Sequence, residues 1–218
     1  MENEKILMLD TETTNDIECP LVYDIGFAVV DRLGNTYEEG SFVIADIFLD
    51  KELMSTAYFA DKIPAYWEDI KSGKRLLRRY KTVRFTIVDI MKQYNIKYVC
   101  CHNTRFDYLA TATTQRYLTC SKFRYFFPYG TQFLDTLKMS RKIFGQDTEY
   151  CEFCQRNNFV TNHEKPKPKF TAEVLHRFLT NDLEFEEEHT GLADVRIEKE
   201  ILAECLRRNP SVNGLLWG

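Results

Sequence analysis

The stretch from Val22 to Ile44 most restricts how this chain can fold. Residues Val22 to Asp31 alternate, with Tyr23, Ile25, Phe27 and Val29 on one side of an extended segment. Leu33-Gly34-Asn35 is a turn, and Thr36 to Ile44 reads as the returning strand. A shorter apolar run, Ile6 to Thr11, comes before this hairpin and reads as a first strand. The period then changes. Residues 49–94 read as helical pieces broken at Pro64 and Gly73. Ile96 to Cys101 reads as a short buried strand, followed by a helix through about Tyr117. Phe133 to Thr136 reads as a last strand running into a helix to Phe144. Thr171 to Leu179 and Gly191 to Arg208 are helical, the latter with Leu192, Val195, Leu202 and Leu206 on its apolar side. Hairpin strands followed by alternating helix and strand predict an α/β fold. It has one mixed central sheet, with antiparallel hairpin strands plus parallel strands, and helices on both faces.

A chain of 218 residues suffices for one domain with its own core, expected over residues 1–208. Residues 145–169 show little periodicity and contain Pro166 and Pro168, so they read as an irregular insert or long loop. Residues 209–218 read as a loose tail. The net charge of −4 does not by itself point to a nucleic-acid partner, so local charge must be read instead. No apolar run approaches the roughly 20 residues that span a bilayer. Met1 to Lys5 leads directly into the first strand pattern without a signal peptide. The expectation is a cytoplasmic protein, not bound to a membrane, whose seven Cys stay reduced.

Three acidic stretches carry the chemistry. In D-T-E-T-T, Asp10 and Glu12 stand two apart at the end of the first strand and so share a face. Two such carboxylates repel unless a cation joins them, and hard cations such as Mg²⁺ or Mn²⁺ prefer carboxylate oxygen. In H-N-T-R-F-D, Asp107 lies in the first turn of a helix. In E-H-T-G-L-A-D, His189 precedes a helix and Asp194 lies in its first turns. Singly, each has a plain explanation: solvated strand-end acids, Asp residues favoured by a helix dipole, an exposed loop His. Together, each acid sits at the terminus of an element, where a rigid frame can hold a polar site.

The order D-x-E, H-N-x-x-F-D, H-x4-D resembles the DEDDh exonucleases of the ribonuclease H-like superfamily. That family includes the proofreading epsilon subunit of bacterial DNA polymerase III, oligoribonuclease and ribonuclease T. The stretch F-L-D-T-L-K-M-S-R-K-I-F is also similar, and the resemblance covers about residues 5 to 206 apart from the insert. It implies 3′→5′ hydrolysis of single-stranded nucleic acid with two divalent cations, Mg²⁺ or Mn²⁺, DNA slightly ahead of RNA. By position, Asp10 would bridge both ions, Glu12 and Asp194 would complete the first, and Asp107 would hold the second through water. His189 would be the general base. Thr11, Thr13, His102, Asn103 and Phe106 are candidate substrate contacts, although His102 reads rather as structural, capping the helix at Thr104, and Phe106 equally as core. Asp135 reads as a structural acid at a strand–helix junction. A polymerase or replication partner would suit such a chain. The alternatives are a catalytically silent binding module of the same fold and an RNA-trimming or oligoribonuclease-type enzyme. Two positions depart from the pattern. Asn15 stands where many relatives have Gly, and Gly191 where Ala is more usual.

As a base, His189 must be neutral. Glu186, Glu187 and Glu188 precede it and favour its charged form, while bound metals oppose them, so an activity optimum above neutrality is expected. Two further runs carry local positive charge. Residues 71–84 form a basic stripe on a helix that also has apolar positions, and residues 122–129, K-F-R-Y-F-F-P-Y, mix cations with aromatics as single-strand-binding surfaces do. Finally, Cys151 and Cys154 form a C-x2-C pair with His163 nearby, so a structural Zn²⁺ would need a fourth ligand such as Cys120 or His176. The resemblance requires no such site.

Overall fold

The computed structural model describes residues 4–120 and 124–217. Six strands form one sheet: β1 (Ile6–Thr14), β2 (Leu21–Val30), β3 (Thr36–Ile44), β4 (Leu76–Arg78), β5 (Tyr98–Cys101) and β6 (Gln132–Asp135). Their order is β4-β3-β2-β1-β5-β6. β1, β2 and β3 are antiparallel neighbours, whereas β4 on β3, β5 on β1 and β6 on β5 are parallel. The helices are α1 (Ala45–Phe48), α2 (Lys51–Met54), α3 (Ile63–Ser72), α4 (Tyr80–Gln93), α5 (Thr104–Leu118), α6 (Thr136–Ile143), α7 (Thr148–Arg156), α8 (Ala172–Thr180) and α9 (Gly191–Arg208). The mixed sheet expected from the hairpin and the later helix–strand alternation is therefore present. No helix among the described residues is long and apolar enough to cross a membrane.

The sheet is covered on both faces, which strand alternation makes visible. Leu7, Leu9, Tyr23, Ile25 and Phe27 enter one core with Val83 and Ile87 of α4 and with Phe133. Ile6, Met8, Ala28 and Val30 point the other way, into a core with Met139, Tyr150, Leu175, Ile201 and Leu202 from α6 to α9. β2 is buried at every residue, as expected of a strand with a neighbour on each side and helices above and below.

Several elements differ from the sequence reading. β1 continues three residues past Thr11, carrying Asp10 and Glu12 inside the ladder against Gly26 and Asp24 of β2, with a bulge between Glu12 and Thr13. Backbone pairing here outweighs the polar side chains. Pro64 begins α3 rather than breaking a helix, because a first-turn N–H has no helical partner to lose. Gly73 closes the helix in the left-handed region at φ +81°.

Residues 145–169 are not a loop throughout. Asp147 accepts hydrogen bonds from the backbone of Glu149 (2.9 Å) and Tyr150 (3.2 Å) and starts α7. Tyr150, Phe153 and Cys154 of α7 are buried at helical spacing. The tail is not loose either. Asp135 N donates to Gly214 O (2.8 Å) and Leu216 N to Phe133 O (2.8 Å), so residues 214–216 run beside β6. Trp217 then packs edge-on against Tyr108 and Phe133, with ring centroids 5.0 and 5.4 Å apart.

Candidate active site

Asp10 and Glu12 continue the face of β1 that carries Ile6 and Met8, the face covered by α9. The start of α9 comes unusually close to the sheet. A Cβ on Gly26 would lie 1.9 Å from the carbonyl carbon of Gly191, and one on Gly191 would lie 2.4 Å from Gly26 N and 3.1 Å from Asp10 O. Only glycine fits on either side, which accounts for Gly191. The contact sets Asp194 against β1, and one carboxylate oxygen from each of Asp10, Glu12 and Asp194 lies within 4.8 Å of the others.

A buried polar brace fixes the same junction. Asp24, fully buried on β2 opposite Glu12, accepts hydrogen bonds from Tyr66 OH (2.7 Å), Arg75 Nη1 (2.8 Å), Ser41 Oγ (3.1 Å) and Gly191 N (3.1 Å). Arg75 also donates from Nε to Asp69 (3.0 Å), and its guanidinium carbon lies 4.5 Å from the Tyr66 ring centroid. One carboxylate thus ties β2, β3, α3 and the first residue of α9 together. The sequence reading missed it. Its only signal is an acid inside an otherwise apolar strand two residues before a strand glycine.

Asp107 is held separately. Thr11 N (3.1 Å) and Thr11 Oγ1 (2.9 Å) both donate to Asp107 Oδ1. Thr11 is buried and committed to this carboxylate. A further acid, Glu198, follows Asp194 by one helical turn and is 3 % exposed. Its Oε2 accepts from His102 N (3.2 Å). The sequence reading missed Glu198 as well, although the apolar side of an amphipathic helix is where a charged residue stands out.

The electrostatics follow from five crowded carboxylates. Burial pushes Asp10 well above the usual carboxylate range, with Glu198, Asp107, Glu12 and Asp194 adding to it. Burial, then Asp194 and Asp24, push Glu12 up to about 9 against the pull of Lys62. Burial and Glu187 push Asp194 to about 8. Burial pushes Asp107 to about 7 despite the bonds from Thr11. Glu198 is raised well above its ordinary value by burial, then by Asp107 and Asp194. Asp194 Oδ1 is buried with no hydrogen-bond partner. An unpartnered carboxylate oxygen among clustered acids is a donor set suited to a hard divalent cation.

His189 sits in the turn before α9 at φ +48°, stacked on Phe59 at 4.4 Å and 12°. Its Nδ1 is 3.7 Å from Glu187 Oε2. Lys62 donates to the Glu188 carbonyl and lies 4.8 Å from the Phe59 ring centroid. Burial and then Lys62 pull the His189 pKa down, with Glu173 opposing. This corrects the expectation that the preceding acids dominate. Glu187 is itself pushed to about 7 by burial and so carries only part of a charge near neutrality.

The remaining candidates divide. Asn103 is exposed, adopts φ +71° at the start of α5, and donates from its N to Asp135 Oδ1 (3.2 Å). Asp135 also takes Leu137 N (2.9 Å) and caps α6. His102 has both ring nitrogens engaged, Nε2 with Phe170 O (2.7 Å) and Nδ1 with Thr136 Oγ1 (3.0 Å). A carbonyl only accepts, so Nε2 bears the proton. Burial lowers the His102 pKa. Thr13 at the bulge and Phe106 in the first turn of α5 are half-buried. Asn15 has φ +70°, the left-handed region where Asn substitutes for Gly, so the departure there preserves the backbone. A cleft of about 800 Å³ opens over the acids, lined by Asp10, Asn103, Arg141, Glu187, Asp194 and Glu198.

Among the described residues, the acids are the one group of three or more potential ligands within reach of each other. Cys151, Cys154 and His163 form no such group. Cys154 is buried in the core beside Tyr150, whereas His163 is exposed. All seven Cys are free thiols.

Solved structures of exonucleases share this mixed, helix-covered sheet. The chain is similar to the zinc-bound Escherichia coli exonuclease I complex with single-stranded DNA, at TM-score 0.62 and 17 % identity over 96 % of this chain and 42 % of that one. It is similar to exonuclease I of Methylocaldum szegediense, at TM-score 0.61 and 17 % identity over 96 % and 42 %. It is also similar to E. coli exonuclease I bound to a dA16 oligonucleotide, at TM-score 0.62 and 15 % identity over 96 % and 42 %. The chain thus spans about two fifths of the length of these proteins. No protein-family model and no curated protein matches the sequence.

Proposed function

We propose that this chain is a metal-dependent exonuclease that removes nucleotides from the 3′ end of single-stranded nucleic acid, DNA ahead of RNA. The observation that carries this reading is the meeting of Asp10, Glu12 and Asp194 within 4.8 Å, with Asp194 Oδ1 buried and unpartnered. The fold shared with exonuclease I, whose structures hold single-stranded DNA, supports it. Asp10, Glu12 and Asp194 would hold one Mg²⁺ or Mn²⁺, and Asp107 would contribute to a second through water. Bound there, the cations supply Lewis-acid polarisation of the phosphodiester and a water of lowered pKa.

The chain's own groups do the rest. His189 receives the proton of the attacking water. Its Nδ1 faces Glu187, which leaves Nε2 as the accepting atom. Its lowered pKa keeps the imidazole neutral at physiological pH, ready to accept. Stacking on Phe59 holds the ring in one plane. Asn103 at the cleft wall, with Thr13 and Phe106 next to Glu12 and Asp107 in the chain, would contact the terminal nucleotide. The brace through Asp24 keeps Asp194 and the His189 turn in register with β1.

Incubating a 5′-end-labelled oligonucleotide with Mg²⁺ or Mn²⁺ tests the proposal. The wild-type chain should yield a ladder shortened from the 3′ end, and Asp10→Ala should leave the substrate intact. Equal behaviour of the two proteins would favour a binding module without catalysis.

A further inference from the structure

The run at residues 122–129 builds something that the proposed catalytic site does not use. Lys122 and Phe123 lie outside the described residues, but from Arg124 onward the run forms one wall of a second cleft of about 520 Å³. Arg84 of α4, Tyr108 of α5, Tyr125, Tyr129 and Trp217 join Arg124 around it, and no acid lines it among the described residues. In a chain of net charge −4 that absence is local, not compositional. Neither arginine forms a salt bridge among the described residues, and Arg84 instead donates from Nε to Tyr125 O (3.3 Å). Tyr125, Tyr129 and Trp217 leave more than half of their surface in water. Yet two of them are fixed. Tyr125 stacks on Tyr108 at 6.4 Å and 28°, and Trp217 is pinned by its edge contacts and by the Leu216 bond to β6.

Exposed aromatic faces held rigid next to unpaired guanidinium groups match the chemistry of a flat, anionic ligand. Bases stack on the rings and phosphates meet the arginines. We propose that this cleft is a second contact for single-stranded nucleic acid, holding part of the strand away from the scissile end. The proposal rests on the exonuclease reading only for the identity of the occupant. Asp107, one of the clustered acids, and Tyr108, at the second cleft, are adjacent on α5.

Trp217 is its own reporter, since the chain has one other tryptophan, Trp67. In a Trp67→Phe background with EDTA present, adding a thymidine oligonucleotide of about 12 residues should quench Trp217 emission to saturation. Replacing the exposed Tyr125 by Ala, with the melting temperature checked, should weaken that binding by roughly 5- to 150-fold. Arg84→Ala should weaken it too, and more so at low salt. No quenching, or an unchanged Kd in both variants, overturns the proposal. So does quenching by an acidic peptide where the oligonucleotide gives none. Asp10→Ala should quench like the parent. If the parent quenches but cleaves nothing, the nuclease reading fails and this one stands.

Discussion

Two clefts of the molecule differ in charge: the first sets buried acids beside Arg141, Lys167 and Lys169, whereas the charged residues described at the second are the arginines Arg84 and Arg124. The first gathers five carboxylates around β1 and α9, with burial raising their pKa values. The second is lined by two arginines and aromatic rings, with no acid among the described residues. The first is proposed to take cations and the second an anionic strand. Function in such a chain is therefore organised by where like charges are concentrated, which its modest net charge conceals.

The largest effect that would break the contrast concerns the proposed base. His189→Ala should lower hydrolysis by about 10²–10⁴-fold at saturating metal. A gel assay with a labelled oligonucleotide reads this, and a loss under tenfold removes His189 from the mechanism. Next comes the brace. Arg75→Met would leave Asp24 buried without its cation and should destabilise the fold by about 3 kcal/mol, seen in urea unfolding. Lesser loss would mean that Tyr66, Ser41 and Gly191 suffice to hold Asp24.

The acidic cleft also predicts an unusual stability curve. Glu12, Asp194 and Asp107 have folded-state pKa values of about 9, 8 and 7, above their unfolded values. The stability they contribute is present below the unfolded carboxylate pKa and is lost as pH rises through the folded values. Without metal, the melting temperature should fall on the order of 10 °C between pH 5 and pH 9. Added Mn²⁺ should restore it most at pH 9. A flat metal-free curve would mean that the carboxylates are not crowded. The lowered pKa of His189 adds that activity should hold at neutrality and fall only on acidification below the ordinary His range. The smallest effect belongs to the basic cleft. Oligonucleotide affinity in EDTA should weaken with salt, and Arg84→Ala should reduce the log–log slope by roughly 0.7.

The two clefts also differ in how far the sequence revealed them. The D-x-E spacing put Asp10 and Glu12 on one face because strand period is a local property, whereas Asp194 was joined to them only through the family resemblance. Asp24 and Glu198 escaped because their roles depend on long-range packing: one meets Gly191, 167 residues away, and the other meets His102, 96 residues away. β1, β2, β3 and α9 were legible from periodicity. β4 was not, since a three-residue edge strand in a basic run has no pattern of its own. α7 was hidden by the prolines downstream of it, although the Asp147 cap and the Tyr150–Phe153–Cys154 spacing were readable. The tail was misjudged because Gly214, Leu215 and Leu216 gain order only by pairing with β6.

The central claim, that the crowded acids gather divalent ions, is most directly tested by titrating Mn²⁺ into the metal-free protein at pH 8 by calorimetry in two buffers of different ionisation enthalpy. Saturable binding that releases protons in both, and is lost in Asp10→Asn, is the predicted result. No binding heat, or binding without proton release, would contradict it.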